Sequence, residues 1–224
     1  MLKKQLMSYS KTLLYGILAG GCIGIGGAGF LSVDNRVMGA VMFSVGLFTI
    51  LTFGFNLFTG KVCYVLERNR RYALGLPVIW LGNLIGAWLT AEALQFTRLG
   101  PAMTERAIAL CQVKLDDSLL SIFILSFFCN ILIYIAVDGF NNSTIELGKY
   151  LAVFYGVVVF IVEGFEHCVA NMFYFSMADM WTGETWICVI VMSLGNAAGG
   201  VAMRLFCHWR KERPKRYGEK ENDR

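Results

Sequence analysis

The sequence predicts an all-α integral membrane protein of six transmembrane helices in two inverted repeats, with helices 2 and 5 broken. Composition indicates the class, because 56% of the 224 residues are hydrophobic and 16% are charged, a balance that does not cover a soluble surface. A Gly-Phe pair followed by polar residues interrupts one apolar segment in each half. A motif that occurs twice indicates the repeat: Leu81-Gly82-Asn83-x-x-Gly86 and Leu194-Gly195-Asn196-x-x-Gly199.

Six apolar segments are long enough to cross a bilayer, whose core of roughly 30 Å takes about 20 helical residues. They cover 12–33, 37–66, 77–97, 118–137, 149–178 and 185–209. The second and fifth are too long for one straight helix, and they contain the interruptions at Gly54 and Gly164. Paired broken helices are typical of a transport site near the membrane midplane. We expect a single transmembrane channel domain over 1–209, with repeats at about 12–97 and 118–209, and a polar cytoplasmic tail over 210–224.

Basic residues indicate the orientation, because Lys and Arg are in excess on cytoplasmic loops. If six helices cross, one side holds Lys3, Lys4, Lys11, Arg68, Arg70, Arg71, Lys149, Arg210, Lys211, Arg213, Lys215 and Arg216. The other side holds only Arg36, Arg98, Arg106 and Lys114. We therefore expect a multi-pass protein of the cell (inner) membrane with both termini cytoplasmic. The net charge of +4 collects at helix ends, so membrane lipid rather than nucleic acid is the expected partner.

Neither catalysis nor a metal or other cofactor is expected. The seven cysteines form no Cys-x-x-Cys pair and are interpreted as reduced packing residues. Only two histidines occur, His167 in the second interruption and His208 at the end of the last segment, which disfavours a bis-histidine haem or a zinc site. Cys168 would point about a quarter turn away from His167 on a helix, which disfavours a Cys–His nucleophile.

The polar residues of the second interruption are the candidate site. Glu166, His167 and Asn171 lie within an otherwise apolar segment, and ionisable residues at that depth are rare, costly and usually face an interior pathway. A structural, hydrogen-bonded His167 is the alternative. Asn83 and Asn196 are predicted to bond backbone groups of the broken helices, because an unsatisfied group there costs several kcal/mol. The Gly-x-x-x-Gly patterns that begin at Gly16, Gly20, Gly82 and Gly195 predict helix packing faces.

Six spans with two broken helices describe an aquaporin-like architecture, but the chain has no Asn-Pro dipeptide. The residues present instead resemble the formate/nitrite transporter family over nearly the whole chain. The matching motifs are Leu57-Phe58-Thr59, Leu81-Gly82-Asn83, Cys129-Asn130, Gly164-Phe165-Glu166-His167-x-x-Ala170-Asn171-Met172 and Gly195-Asn196-x-x-Gly199-Gly200.

The resemblance implies a homopentamer with one pore in each protomer, and it implies roles for single residues. His167 is the central pore residue, with Thr59 and Asn130 as polar neighbours. The constrictions are formed by apolar side chains, namely Leu57, Phe58, Phe43, Leu47, Phe160 and Ile133. Lys114 matches a family lysine of the outer vestibule, and Lys4 matches the one at the inner vestibule. One departure is Asn56, which stands where many members have a glutamate.

The expected function is a passive, bidirectional, pH-dependent channel for small monovalent anions such as formate, nitrite or hydrosulfide, or their conjugate acids. An anion pays several kcal/mol or more to enter a narrow apolar passage. Lysines at the mouths, half-helix amino ends and His167 lower that cost, and a weak acid can cross in its neutral form. The alternatives are a proton-coupled anion symporter and a non-transporting structural or signalling subunit.

Overall fold

The structure is a computed structural model that describes the backbone of residues 2–212 and the side chains of residues 9–209. Over that range the chain is helical apart from short connections. The helices are α1 (Leu2–Leu31), α2 (Arg36–Phe53), α3 (Phe58–Val62), α4 (Arg70–Gln95), α5 (Gly100–Leu115), α6 (Leu119–Asn142), α7 (Glu146–Glu163), α8 (Cys168–Met177) and α9 (Gly183–Glu212).

Five of these helices, α1, α2, α4, α6 and α9, are long and apolar enough to cross a membrane. A sixth span comes from α7 and α8 together, which are bent by 57° at a short break. Helix α2 ends at Phe53 and is followed, after a break over 54–57, by the short helix α3. The prediction of an all-α membrane fold with six spans and broken second and fifth helices is therefore confirmed.

The two halves of the chain pack in the same way. Helix α1 lies along α4 in the first half, as α6 lies along α9 in the second, and α2 contacts α7 between the halves. Because each half has three spans, the second half crosses the membrane in the opposite direction. We call the side with the connections 63–69 and 143–145 the terminal side. The opposite side, with 32–35, 96–118 and 178–182, is the distal side.

Glycines lie where these helix pairs approach most closely. A Cβ atom at Gly20 or Gly86 would collide with backbone atoms of the facing helix in the α1–α4 pair. A Cβ atom at Gly195 or Gly199 would collide in the same way with the backbone of α6. These glycines therefore form packing faces, which let two backbones approach where lipid supplies no hydrophobic drive for association.

Helix α5 was not among the predicted elements. It fills most of the connection 98–117, and Pro101 stands in its first turn, where a missing N–H removes no helical hydrogen bond. Its buried residues Met103, Ala107 and Cys111 follow a four-residue spacing along one face. A search for apolar segments of spanning length does not detect such an amphipathic helix.

Helix α3 is shorter than its apolar segment predicts, because turns occupy 63–67. Two predictions at the chain ends lie outside the described residues: the vestibule role of the Lys4 side chain, and residues 213–224 of the polar tail.

Candidate functional site

The two breaks have the same backbone conformation. Gly54 ends α2 with φ of 70° and Gly164 ends α7 with φ of 76°, the left-handed region that glycine adopts without strain. The N–H groups of Phe55 and Phe165 then bond to carbonyl oxygens five residues earlier, at 3.0 and 2.9 Å. Each helix is closed in this way, and the chain turns before the next helix begins.

Asn83, on α4, ties the first break to α1. Its Oδ1 accepts a hydrogen bond from the N–H of Phe58 at 2.8 Å. Its Nδ2 donates to the carbonyl oxygens of Asn56, at 2.8 Å, and Gly16, at 2.9 Å. One buried side chain thus bonds three backbone groups at and beside the break.

Asn196, on α9, makes the equivalent bonds at the second break. Its Oδ1 accepts from the N–H of Cys168 at 2.9 Å, and its Nδ2 donates to the carbonyl oxygens of Glu166 at 2.8 Å and Ser126 at 2.7 Å. Like Asn83, it is completely buried. Backbone groups that would be costly to leave unsatisfied at membrane depth are therefore paired at both breaks.

His167 is the N-cap residue of α8, and both of its ring nitrogens are engaged. Nδ1 accepts from the backbone N–H of Ala170 at 3.1 Å, so the proton of the neutral ring is on Nε2. Nε2 lies 2.9 Å from Oγ1 of Thr59 and donates to that hydroxyl group, whose own hydrogen is left for another acceptor. A second proton on the ring would break the bond that caps α8.

The position of Thr59 is set by two further side chains. Nδ2 of Asn130, on α6, donates to the carbonyl oxygen of Thr59 at 3.1 Å. The thiol of Cys63 donates to the same oxygen at 3.2 Å. Cys63 was not among the predicted site residues, although its spacing of one helical turn from Thr59 was a signal in the sequence.

Two buried amide oxygens beside this pair have no hydrogen-bond partner among the described residues, namely Oδ1 of Asn130 and Oδ1 of Asn171. Each can accept a hydrogen bond from a water molecule or a protonated ligand. The centre of the protein therefore offers acceptors as well as the Thr59 hydroxyl donor.

Glu166 is held in a buried ion pair. Nζ of Lys114 lies 2.8 and 2.7 Å from its two carboxylate oxygens, and Nδ2 of Asn171 donates to Oε2 at 2.8 Å. The Lys114 and Glu166 side chains are only 10% and 6% exposed. Lys114 lies in the last turn of α5. The carboxylate of Glu166 compensates the positive charge of Lys114 within the protein.

Cavities approach the Thr59–His167 pair from both sides. The terminal-side cavity has a volume of about 500 Å³ and is lined in part by Leu47 and Leu57. On the distal side, a cavity of about 480 Å³ adjoins a small one of about 40 Å³ that reaches His167. Among the described residues, the terminal-side cavity and the small distal one share no lining residue.

Apolar side chains close both approaches. The Phe160 ring stacks on the His167 ring with centroids 5.8 Å apart, and Phe43 meets Phe160 edge-on at 5.9 Å. Leu47 follows Phe43 by one turn on α2. Phe43, Leu47, Leu57 and Phe160 are each no more than 3% exposed, so the passage is occluded in this conformation.

Three residues predicted at the constrictions, namely Phe43, Phe58 and Ile133, line none of these described cavities. Phe58 is half-buried and packs against the cluster of Val62, Leu76 and Ile79. Ile133, on α6, is buried in the main apolar core. Leu47 and Leu57 line the terminal-side cavity and Phe160 lines the small distal one, and the constriction roles of all six residues stay predictions.

The terminal-side cavity contains an ion pair that sequence reasoning missed. The guanidinium group of Arg204 donates to both carboxylate oxygens of Glu67 at 2.7 Å. These hydrogen bonds hold the pKa of Glu67 below its usual value. A lone arginine within the last apolar segment was the available signal.

Metal ligands do not converge in the part of the chain that the structure describes. No group of three or more His, Cys, Asp or Glu side chains there could hold a metal ion. All seven cysteines are free thiols, and five of them are buried.

Breaks in paired helices, a buried polar pair between them and cavities on both sides define a multi-pass membrane transport protein. The chain belongs to the formate/nitrite transporter family, because the family model described as formate/nitrite transporter matches residues 1–210. The resemblance seen in the sequence is therefore confirmed. Members of this family are channels and transporters, which agrees with the prediction that the chain is not an enzyme.

Relatives of this chain carry transporter and channel names. An uncharacterized transporter, YrhG of Bacillus subtilis, is 31% identical over 181 residues, which cover 74% of this chain and 68% of the relative. The formate channel FocA of Haemophilus influenzae is 25% identical over 201 residues, which cover 78% and 70%. The nitrite transporter NirC of Salmonella typhimurium is 28% identical over 207 residues, which cover 82% and 75%.

Solved structures share the fold. A pentameric formate channel with formate bound superimposes with a TM-score of 0.77 at 25% sequence identity, over 92% of this chain and 98% of that chain. An FNT family ion channel gives a TM-score of 0.78 at 20% identity, over 94% and 98%.

Proposed function

We propose that residues 1–209 form a passive, bidirectional, pH-dependent channel for small monovalent anions such as formate, nitrite or hydrosulfide, or their conjugate acids. The chain assembles as a homopentamer with one pathway per protomer, surrounded by lipid in the cell (inner) membrane, with both termini cytoplasmic. Similarity to a pentameric formate channel with formate bound and to named formate and nitrite transporters supports this proposal.

The observation that carries the proposal is the hydrogen bond between Thr59 and His167, buried between two cavities. Since Nδ1 of His167 accepts from a backbone N–H, Nε2–H donates to Thr59 and the Thr59 hydroxyl hydrogen is available to a ligand oxygen. An anion that reaches this point receives one strong, charge-assisted hydrogen bond.

The apolar side chains on both sides make charge expensive. Phe43, Leu47, Leu57 and Phe160 offer no hydrogen bond to a desolvated anion, whose transfer out of water costs several kcal/mol. Desolvation favours the neutral form of a weak acid. An anion held at Thr59 therefore takes up a proton before it crosses the rest of the passage, and flux rises as the pH falls.

The proton comes from water in the cavities, and His167 supplies orientation. A neutral His167 that lost its Nε2 proton would become an anion in an apolar site, and a second proton on Nδ1 would break the cap of α8. Both changes are unfavourable, so His167 stays neutral and directs the Thr59 hydroxyl group.

The test measures uptake of formate, nitrite and hydrosulfide into proteoliposomes across a pH series. Thr59→Val removes the hydroxyl group at nearly constant shape, and Thr59→Ser keeps it as the matched control. A lost hydrogen bond to a charged group is worth about 1.5–3 kcal/mol, so Thr59→Val is expected to lower flux about 10- to 150-fold.

His167→Asn separates the two roles of the histidine. Asparagine is a favourable N-cap and retains the start of α8, but it is too short to replace the ring at Thr59. We expect folded protein with reduced flux and an altered pH dependence. No flux of any of the three anions in wild-type protein would reject a channel and favour the structural or signalling alternative. Tracer exchange that is much faster than net flux would favour the symporter instead.

A further inference from the structure

Five charged side chains line the terminal-side cavity: Lys61, Glu67, Arg68, Asp138 and Arg204. Both carboxylate oxygens of Glu67 accept hydrogen bonds from Arg204. Oδ1 of Asp138 lies 3.9 Å from the same guanidinium group. Arg68 is exposed. The ammonium group of Lys61 has neither a hydrogen bond nor an ion pair with any described residue, and Lys61 is the half-buried cation that remains without a carboxylate.

The two breaks differ at the loop residue that could carry a counter-charge. In the second break the loop residue before the N-cap is Glu166, which pairs with Lys114. The equivalent residue of the first break is Asn56, whose Nδ2 donates to the carbonyl oxygen of Thr12 at 3.4 Å. Asn56 and Lys61 line the same side pocket of about 190 Å³, so an uncharged residue stands beside the lysine.

The location of Lys61 suits an anion on its way to the centre. Lys61 lies on α3, two residues after Thr59, and it lines the terminal-side cavity. A cation at membrane depth is costly unless a counter-charge or water compensates it, and such residues mark ion pathways. A positive charge in a cavity with apolar walls also raises the local concentration of anions.

We propose that Lys61 binds small monovalent anions in the terminal-side cavity and delivers them to Thr59. This inference rests on the proposed function and deepens it, because it assigns the anion-binding step on this side to a residue within the broken second span. Asn56 contributes by being uncharged, which leaves the ammonium group to the permeating anion.

The first test removes the charge and compares initial uptake rates at low anion concentration. Lys61→Gln is expected to lower the rate about fivefold or more at low ionic strength and to weaken its dependence on salt. Lys61→Arg is expected to keep most of the rate. Arg70→Gln is the matched control, because Arg70 is an exposed cation on the same side, and it should leave rate and salt dependence unchanged.

The second variant supplies the missing partner. Asn56→Glu places a carboxylate in the pocket that Lys61 lines, as Glu166 does for Lys114, and should lower uptake as Lys61→Gln does. Asn56→Gln, which stays uncharged, is its control. If the role of Lys61 were purely structural, a new carboxylate at position 56 would not lower uptake as Lys61→Gln does.

A third measurement does not depend on flux. Acylation of lysines by a small amine-reactive ester is followed by mass spectrometry, with formate added at constant ionic strength. Formate should slow acylation of Lys61 but not of Lys149, which pairs with Glu146 on the same side. Protection of Lys61 without flux supports this inference and rejects the proposed function. Flux in which Lys61→Gln matches Arg70→Gln, with no protection of Lys61, overturns the inference alone.

Discussion

Replacing Lys114 with methionine removes the cation that the structure pairs with the carboxylate of Glu166. The methionine side chain fills a similar volume but carries no charge. Glu166 would keep the hydrogen bond from Asn171, while its negative charge would lie 5% exposed without a counter-charge. The carboxylate must then stay charged in an apolar site, take up a proton or draw water into the protein.

The size of the effect follows from that burial. Removing one partner of a buried ion pair typically costs about 3–5 kcal/mol, because the other charge is left uncompensated. For a chain of this length, 1 kcal/mol shifts the melting temperature by about 2–4 °C. Lys114→Met is therefore expected to lower the apparent melting temperature by roughly 6–20 °C.

The assay is thermal unfolding in one detergent at fixed protein concentration, for Lys114→Met, Glu166→Gln and the double variant. Lys114→Met leaves the buried Glu166 carboxylate without a counter-charge, and Glu166→Gln removes that carboxylate charge. The double variant should therefore recover more than half of the stability lost in Lys114→Met. That non-additivity is the signature of a direct pair. Equal losses in Lys114→Met and the double variant, or a loss below about 1 kcal/mol, would refute the reasoning. Lys114 would then be a solvated vestibule charge.

Two further predictions concern helix packing and pH. Gly86→Ala should destabilise the protein by about 1–3 kcal/mol or more, because its Cβ would collide with the carbonyl oxygen of Ile17. Gly75→Ala is the control and should not destabilise the protein, because Gly75 has open space around it. Equal melting temperatures of the two variants would contradict this prediction. Glu67→Gln should be less stable than wild type at pH 7. Because hydrogen bonds from Arg204 lower the pKa of Glu67 in the folded state, the pair stabilises the protein above the unfolded pKa of about 4.3 and loses that contribution as the pH falls through the folded pKa. Melting curves from pH 7 to about pH 3 should converge, and a gap that persists would contradict the assignment.

Much of the fold was predictable because its signals are local. Each span is recognised by its own length and hydropathy, and each break by a glycine that ends a helix in the left-handed region. The pairs Gly16 and Gly20, Gly82 and Gly86, and Gly195 and Gly199 are each four residues apart, which places small residues on one helix face. Helix α5 was missed because it is amphipathic and too polar to be found as an apolar segment of spanning length.

The contacts of the site depend on residues far apart in the chain. Thr59 and His167 are 108 positions apart, and Lys114 and Glu166 are 52 apart. Family resemblance placed Thr59 beside His167, but no pattern in the sequence paired Lys114 with Glu166. Which of the predicted apolar side chains face the passage likewise depends on how α2, α3, α6 and α7 pack against one another.

The sequence by itself determined that the chain lies in a membrane, that it has two related halves, and where each half is broken. These features follow from hydropathy and from backbone chemistry within one or two helical turns. Only the tertiary structure decided which charges are paired and which are open to a ligand. A buried charge is stabilised or stranded by the groups within a few ångströms of it, and packing between distant helices brings those groups together. Lys114, expected in a vestibule, is therefore found paired with Glu166. Lys61 is instead the candidate for anion binding.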